Sequence, residues 1–381
     1  HFELDLSVQQ KLWKGEVEGN LFYFQTARRD RFFALNDPDR LVLERHSLDE
    51  DTWGWNLKTR QTFGRVKIGL GVEGNYLGYG ALTNDFFDPA YFRFTPASSG
   101  ANKNAQRLYG GYIDATIFPA PWCELYLGLR YDNYFAEKYL NSNTNTIVPD
   151  TRRDFLSPKS TLIIRPTENT EGYISINFAS RFPTIPEVYW FGNGYMPPDR
   201  RPTLEPEFGM QYEAGLTQKF PYNGQLRVRG YYYDINNYIR TVFGFRPSRV
   251  IYNLDLVILR GLEVEGQIGL PYNLTAFANY TWQQTSTSPD PLGGNARRLA
   301  EFPEHKANVG LRYQDAQGAE AKLYVRLVSQ RYEPVVLVNA FNQITGSYLR
   351  RMKGFFTLNV EGRYPVAHWK GFTGYLYGGV S

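Results

Sequence analysis

Residues 306–313 read KANVGLRY, and that octet sets the fold class. Ala307, Val309, Leu311 and Tyr313 fall on one side of an extended chain, with Lys306, Asn308, Gly310 and Arg312 on the other. Side chains alternate across a strand with a period of two, so the octet describes a strand with one apolar and one polar face. The pattern returns in 356–364, where Phe356, Leu358, Val360, Gly362 and Tyr364 oppose Thr357, Asn359, Glu361 and Arg363. It returns again in 262–270, where Leu262, Val264, Gly266, Ile268 and Leu270 oppose Glu263, Glu265 and Gln267. Helical periodicity is almost absent, and the chain is expected to be all-β.

Extending the same reading in both directions predicts sixteen strands: 1–13, 16–34, 41–63, 66–86, 104–118, 122–138, 154–166, 171–180, 207–219, 225–243, 250–270, 273–285, 303–314, 319–334, 349–364 and 371–381. Many exceed the roughly 9–11 residues that cross a bilayer. The connections alternate in length. Short ones fall at Lys14-Gly15, Gly64-Arg65, Pro119–Pro121, Thr167–Thr170, Tyr222–Gly224, Pro271-Tyr272, Asp315–Gly318 and Pro365–Lys370. Long ones fall near 87–103, 139–153, 181–206, 286–302 and 335–348, with 35–40 and 244–249 as shorter members of that set. Short turns at one end and long loops at the other are the pattern of a transmembrane antiparallel β-barrel; a soluble sandwich has no reason to alternate this way.

Composition agrees. Tyr 29, Phe 26 and Trp 7 make the 381-residue chain 16% aromatic, with 35 Gly, yet its mean hydropathy is −0.45. Aromatic girdles combined with a polar inner face produce such a profile. No run of about 18 apolar residues offers a transmembrane helix. One cysteine, Cys123, excludes an internal disulfide framework. A net charge of +4 with no polybasic tract does not point to nucleic acid.

Parity adds an expectation. In a complete barrel of this kind the strand number is even and both ends lie at the short-turn side. Here the first connection is short, so the first strand runs towards the short turns and the last runs away from them. The alternation therefore predicts that residues 1–381 are part of a larger barrel, with strands before His1 and at least one after Ser381.

Several segments resemble the barrel of TonB-dependent outer-membrane receptors, of the siderophore-receptor kind. They are LYLGLRYD at 125–132, FLSPKSTLIIRPTENTEGYISINFASRFPT at 155–184, PTLEPEFGMQYEAGL at 202–216, YYYDINNYI at 231–239, RGLEVE at 260–265 and FPEHKANVGLRY at 302–313. No single element is specific; their order and spacing together carry the resemblance. It implies a 22-stranded barrel in the bacterial outer membrane, of which about sixteen strands are present. It also implies an N-terminal plug with a TonB box, and uptake of a bulky, scarce ligand energised through TonB. A ferric siderophore is the expected ligand; cobalamin, another metal chelate or an oligosaccharide is the alternative within the class. A passive porin or a structural barrel is the alternative outside it. The loop that carries a His in haem receptors has none here, which disfavours haem.

No catalytic residue, metal site or cofactor is expected. The four His residues, His1, His46, His305 and His368, lack metal-ligand spacing, and the pair Glu263 and Glu265 reads as lumen lining. The binding candidates lie in the loops. Tyr189, Trp190, Tyr195, Arg200 and Arg201 give loop 181–206 an aromatic and cationic mixture suited to a large chelate. Arg246, Arg297 and Arg298 extend it, and Arg28-Arg29, Arg152-Arg153 and Arg350-Arg351 fall at the same end. Guanidinium forks bind carboxylate or phosphate. They could steer an anionic ligand or hold outer-membrane lipid and lipopolysaccharide phosphates. In an extended Arg-Arg pair the two side chains point oppositely, so one pair could do both.

Overall fold

The structure is a computed structural model that describes residues 2–34, 37–79, 83–88, 93–96, 104–141, 146–184, 187–188, 204–243, 249–290, 297–338, 344–369 and 372–380. Side chains are not described for 27–49, 79–104, 139–146, 242–250, 338–347 and 367–374, nor at 148 and 336.

Strands β1 (Phe2–Leu12), β2 (Gly15–Ala34), β3 (Asp37–Phe63) and β4 (Val66–Tyr79) begin an antiparallel meander. It continues through β7 (Asn104–Ala120), β8 (Cys123–Ala136), β11 (Thr151–Thr167), β12 (Thr170–Arg181), β13 (Glu207–Phe220) and β14 (Gly224–Phe243). It ends with β15 (Arg249–Leu270), β16 (Leu274–Thr287), β17 (His305–Gln314), β18 (Glu320–Val328), β21 (Phe355–Trp369) and β22 (Phe372–Val380). The hairpin of β5 (Thr83–Asp88) and β6 (Arg93–Pro96) hangs on β3. The sheet has eighteen strands; without β5 and β6, sixteen form the meander. Two further hairpins stand apart, β9 (Tyr139–Asn141) with β10 (Thr146–Val148), and β19 (Arg331–Val338) with β20 (Ile344–Met352).

Each strand shows the two faces that its sequence requires. On β8, Leu127, Leu129 and Tyr131 are exposed, and Tyr126, Arg130 and Asp132 alternate with them on the opposite face. The register carries the apolar set across neighbouring strands: Leu127 stands opposite Ala115 and Ser160, and Leu129 opposite Ile113 and Pro158. The result is a continuous apolar band far larger than water-soluble surfaces show, and its natural solvent is lipid.

The polar face is joined by rings laid over glycines of the neighbouring strand. Tyr112 covers Gly71, Tyr173 covers Gly215 and Tyr231 covers Gly261. A Cβ on Gly261 would lie 2.5 Å from both the Tyr231 hydroxyl and the Trp282 carbonyl oxygen. The glycine is needed so that the ring can lie flat on the wall.

The short connections are tight. Tyr222-Asn223 and Tyr272-Asn273 both have positive φ, 59° and 53° in the first and 63° and 60° in the second. Two consecutive left-handed residues make the hairpin turn whose twist matches the strands. Asn tolerates that region; for Tyr it is strained. Tyr272 is 88% and Trp13 92% exposed, so this end carries outward aromatics, as an interfacial girdle does.

Two expectations need correction, while the strand predicted over 66–86 is described as β4 and β5, both antiparallel to β3 in one register, with Tyr79 opposite Glu50 and Thr83 opposite His46. The predicted hairpin 319–334/349–364 keeps one register, Val328 opposite Phe355 and Arg331 opposite Met352, but its ladder is interrupted at Ser329-Gln330 and Lys353-Gly354. On its other side Ser329 still continues the β17 pairing, its N–H donating to the His305 carbonyl at 2.9 Å. A Cβ on Gly354 would meet the Val328 carbonyl oxygen at 2.8 Å, so glycine permits this close approach. Finally, the turn predicted at Pro365–Lys370 is strand up to Trp369. The register shifts between Pro365 and Ala367, and this bulge absorbs the proline's missing N–H.

Candidate functional site

The long-loop end is built from ion pairs. Arg181, the last residue of β12, forks onto Glu207, the first of β13, with both contacts at 2.9 Å. Its remaining nitrogen reaches Glu187 at 2.9 Å. Bonding to Glu207, then to Glu187, holds the Arg181 guanidinium above its ordinary pKa despite burial. Glu187 also caps a turn: the Thr184 N–H donates to its carboxylate at 2.8 Å, and the Glu187 N–H returns to the Thr184 hydroxyl at 3.4 Å. Thr184 and Glu187 thus bond reciprocally, as in a capping box. Glu205 takes a two-pronged bond from Arg153 at 2.7 and 2.5 Å, and its N–H donates to the Asn253 side chain at 2.9 Å. Phe182 stacks on Tyr134 with centroids 4.6 Å apart.

A second cluster lies over β14 to β16. Arg240 is 3% exposed and pairs with Asp290, 4% exposed, at 3.1 Å. The buried Tyr252 hydroxyl donates to the other Asp290 oxygen at 2.6 Å. Burial first, then the Asp290 charge, push the Tyr252 phenol well above its usual pKa. The sequence analysis singled out none of these three residues. Their alignment depends on the pairing of β14 with β15, which places Arg240 opposite Tyr252. The one local hint is a cation at Arg240 within the otherwise apolar stretch 238–243.

Beside this cluster, residues 297–305 fold back along β16. The Thr287 N–H donates to the Arg297 carbonyl at 3.0 Å and the Gln283 N–H to the Glu304 carbonyl at 2.9 Å. Arg298 lies over the Tyr332 ring at 4.4 Å and reaches Glu304 at 3.3 Å. It lines a cleft of about 440 Å³ between this segment and the break in the last long hairpin.

Of the predicted binding residues, Tyr189, Trp190, Tyr195, Arg200, Arg201 and Arg246 lie outside the described residues, as do the side chains of Arg28 and Arg29. Arg297 is exposed and Arg298 half-buried at the long-loop end. The described arginine pairs share a division. Arg153, Arg298 and Arg350 are ion-paired, with Glu205, Glu304 and Glu333. Their neighbours have no carboxylate pair among the described residues, although Arg351 donates to Gln330. On the polar wall below, Arg229 bonds Glu263 at 2.7 Å and Arg227 stands 4.0 Å from Glu265. This is how a lumen wall satisfies its charges. Among the described residues no group of three His, Cys, Asp or Glu is placed to hold a metal ion.

An antiparallel meander with an apolar band on one face, a charge-paired wall on the other and loops gathered at one end defines a membrane β-barrel. The chain belongs to the TonB-dependent receptor-like β-barrel family, whose model matches residues 2–380. Solved structures agree in fold. The copper transporter OprC superposes with a TM-score of 0.77 at 18% identity, over 96% of this chain and 57% of that one. The unliganded ferric citrate transporter FecA gives 0.69 at 15% identity, over 96% and 54%. The ferric yersiniabactin uptake receptor FyuA from Yersinia pestis gives 0.68 at 14%, over 95% and 53%. The chain therefore spans little more than half the length of these structures. A comparison with curated proteins finds none that matches. The family resides in the bacterial outer membrane, and its members are transporters rather than enzymes.

Proposed function

We propose that this chain is the barrel portion of an active-transport receptor that takes up a bulky, scarce ligand, foremost a ferric siderophore, with energy delivered through TonB. The observation that carries the proposal is the family match over 2–380. A plug with its TonB box, and the strands that complete a 22-stranded barrel, belong in this reading to sequence outside 1–381. Support comes from the matched structures, which are nearly twice as long. The registers also give β1 and β22 one partner each, β2 and β21. In this reading Tyr189, Trp190, Tyr195, Arg200, Arg201, Arg246, Arg297 and Arg298 contact the ligand at the extracellular mouth. The Thr184–Glu187 bonds and the Arg153–Glu205 pair flank the loop that carries the first five. Outward arginines hold lipopolysaccharide phosphates. Another metal chelate is the second reading for the ligand, because a copper transporter is among the similar structures.

Two measurements on the full-length protein test this. Uptake of radiolabelled iron from a panel of siderophores should stop in cells lacking TonB, and conductance in a planar bilayer should be nearly nil. An open channel with uptake indifferent to TonB would replace the proposal with a passive pore.

A further inference from the structure

The polar wall is not uniformly neutralised. Over β2 to β13 several of its cations are matched by acids, although Arg60, Lys67 and Lys159 have no ion pair among the described residues. Lys58 pairs with Glu18 at 2.9 Å, Arg130 with Glu73 and Asp132 at 2.5 and 2.6 Å, and Arg165 with Glu124 and Glu171 at 3.0 and 2.7 Å. Over β17 and β18 the matching fails. Lys306 and Arg312 on β17, and Lys322 and Arg326 on β18, all point to the polar side. Among the described residues none of the four has a carboxylate within ion-pair distance. Three acids stand on or beside this stretch of wall, and each is engaged elsewhere. Glu320 is held by Arg363 at 2.9 Å. Glu361 stands across the ladder from Lys322, outside its ion-pair distance, and accepts from the Tyr324 hydroxyl at 3.1 Å. Glu265 stands 4.0 Å from Arg227.

Two of these four charges, Arg312 and Lys322, meet in one groove. Arg312 and Lys322 are direct cross-strand partners. With Arg227, the amides of Gln225, Gln267 and Asn279, and the one carboxylate Glu265, 4.0 Å from Arg227, they line a cavity of about 310 Å³ in which cations outnumber the acid three to one. The Lys322 ammonium is held between two rings, 5.5 Å from the centroid of Phe277 and 4.5 Å from that of Tyr324. Rings fix the lysine without neutralising it, so its charge stays available. Like charges side by side are unfavourable unless an anion comes between them. Guanidinium and amide donors around an open groove suit a planar or tetrahedral oxyanion.

We infer that the groove between β14 and β18 is an oxyanion-binding site that takes a carboxylate or phosphate group on the lumen wall. The inference rests on the proposed function in placing this wall in the lumen and, for the second source of anion, in the presence of sequence outside 1–381. Two sources could supply the anion: a free anionic solute, or acidic side chains of the same protein seated against the wall.

The test is calorimetric titration of the full-length protein in detergent with inorganic phosphate at low salt, for wild type and R312Q/K322Q. Hydrogen exchange of the sequence outside 1–381 is followed in parallel. R363Q, on the same wall but outside the groove, is the control, and heat-dependent gel migration confirms that each barrel is folded. If a free solute fills the site, wild type binds phosphate, R312Q/K322Q binds roughly tenfold or more weakly, and R312K recovers most of the loss. If the protein's own carboxylates fill it, wild type binds no phosphate, but R312Q/K322Q speeds exchange in a segment outside 1–381 and R363Q does not. Unchanged phosphate behaviour together with unchanged exchange overturns the inference. No transport step is involved, so failure here leaves the uptake proposal standing, and failed uptake leaves this site standing.

Discussion

The two ends of the sheet solve opposite problems. At the long-loop end, chain segments distant in sequence are fastened by charge: Arg240 with Asp290 and Tyr252, which are buried, and the partly exposed Arg181 with Glu187 and Glu207. At the short-turn end the connections are two to five residues long and the fastening is covalent proximity itself. There the side chains are almost fully exposed, as at Trp13 and Tyr272. Stability at the first end rests on pairings that a single substitution can orphan. At the second it rests on backbone conformation, which side-chain changes hardly touch.

The comparison is sharpest at Asp290. Asp290→Ala leaves Arg240 buried with its close partner gone, a loss of about 3–5 kcal/mol. Hydrogen exchange over 285–305 should rise accordingly while the short turns keep their protection. Tyr252→Phe removes only the donated bond and leaves one Asp290 oxygen unmet, costing about 1–3 kcal/mol by the same measurement. At the other end, Asn273→Ala puts a Cβ-bearing residue with no local polar compensation at φ 60°, for about 1 kcal/mol, read from chemical denaturation of the reconstituted barrel. Asn223→Gly should gain a few tenths of a kcal/mol, since glycine occupies positive φ freely. Trp13→Ala, smallest of all, should leave folding unaltered in detergent and show itself only as weaker partitioning into lipid. Equal losses from Asn273→Ala and Asp290→Ala would abolish the distinction between the ends.

The same contrast explains what could be read from the sequence. The sixteen meander strands and most of their turns were legible because period-two alternation and Pro-Tyr-Asn or Gly signals are local. The resemblance carried by 125–313 was confirmed by a match over nearly the whole chain. The illegible parts depend on distant residues. The strand persists past Pro365 because a bulge spares its missing donor. Arg240, Tyr252 and Asp290 are brought together by register alone. Of the binding residues, sequence showed where arginine pairs occur. It did not show that Arg153, Arg298 and Arg350 are occupied by Glu205, Glu304 and Glu333.

The rings over glycines have a mechanical consequence. Sliding one strand past its neighbour by the two residues that would restore alternation must lift Tyr231 from Gly261 and press it on Leu259 or Glu263 instead. Tyr173 over Gly215 and Tyr112 over Gly71 impose the same condition elsewhere on the wall. The strands are pegged against shear as dowelled staves are. A load applied along the axis is shared around the hoop instead of being relieved by slip at its weakest seam.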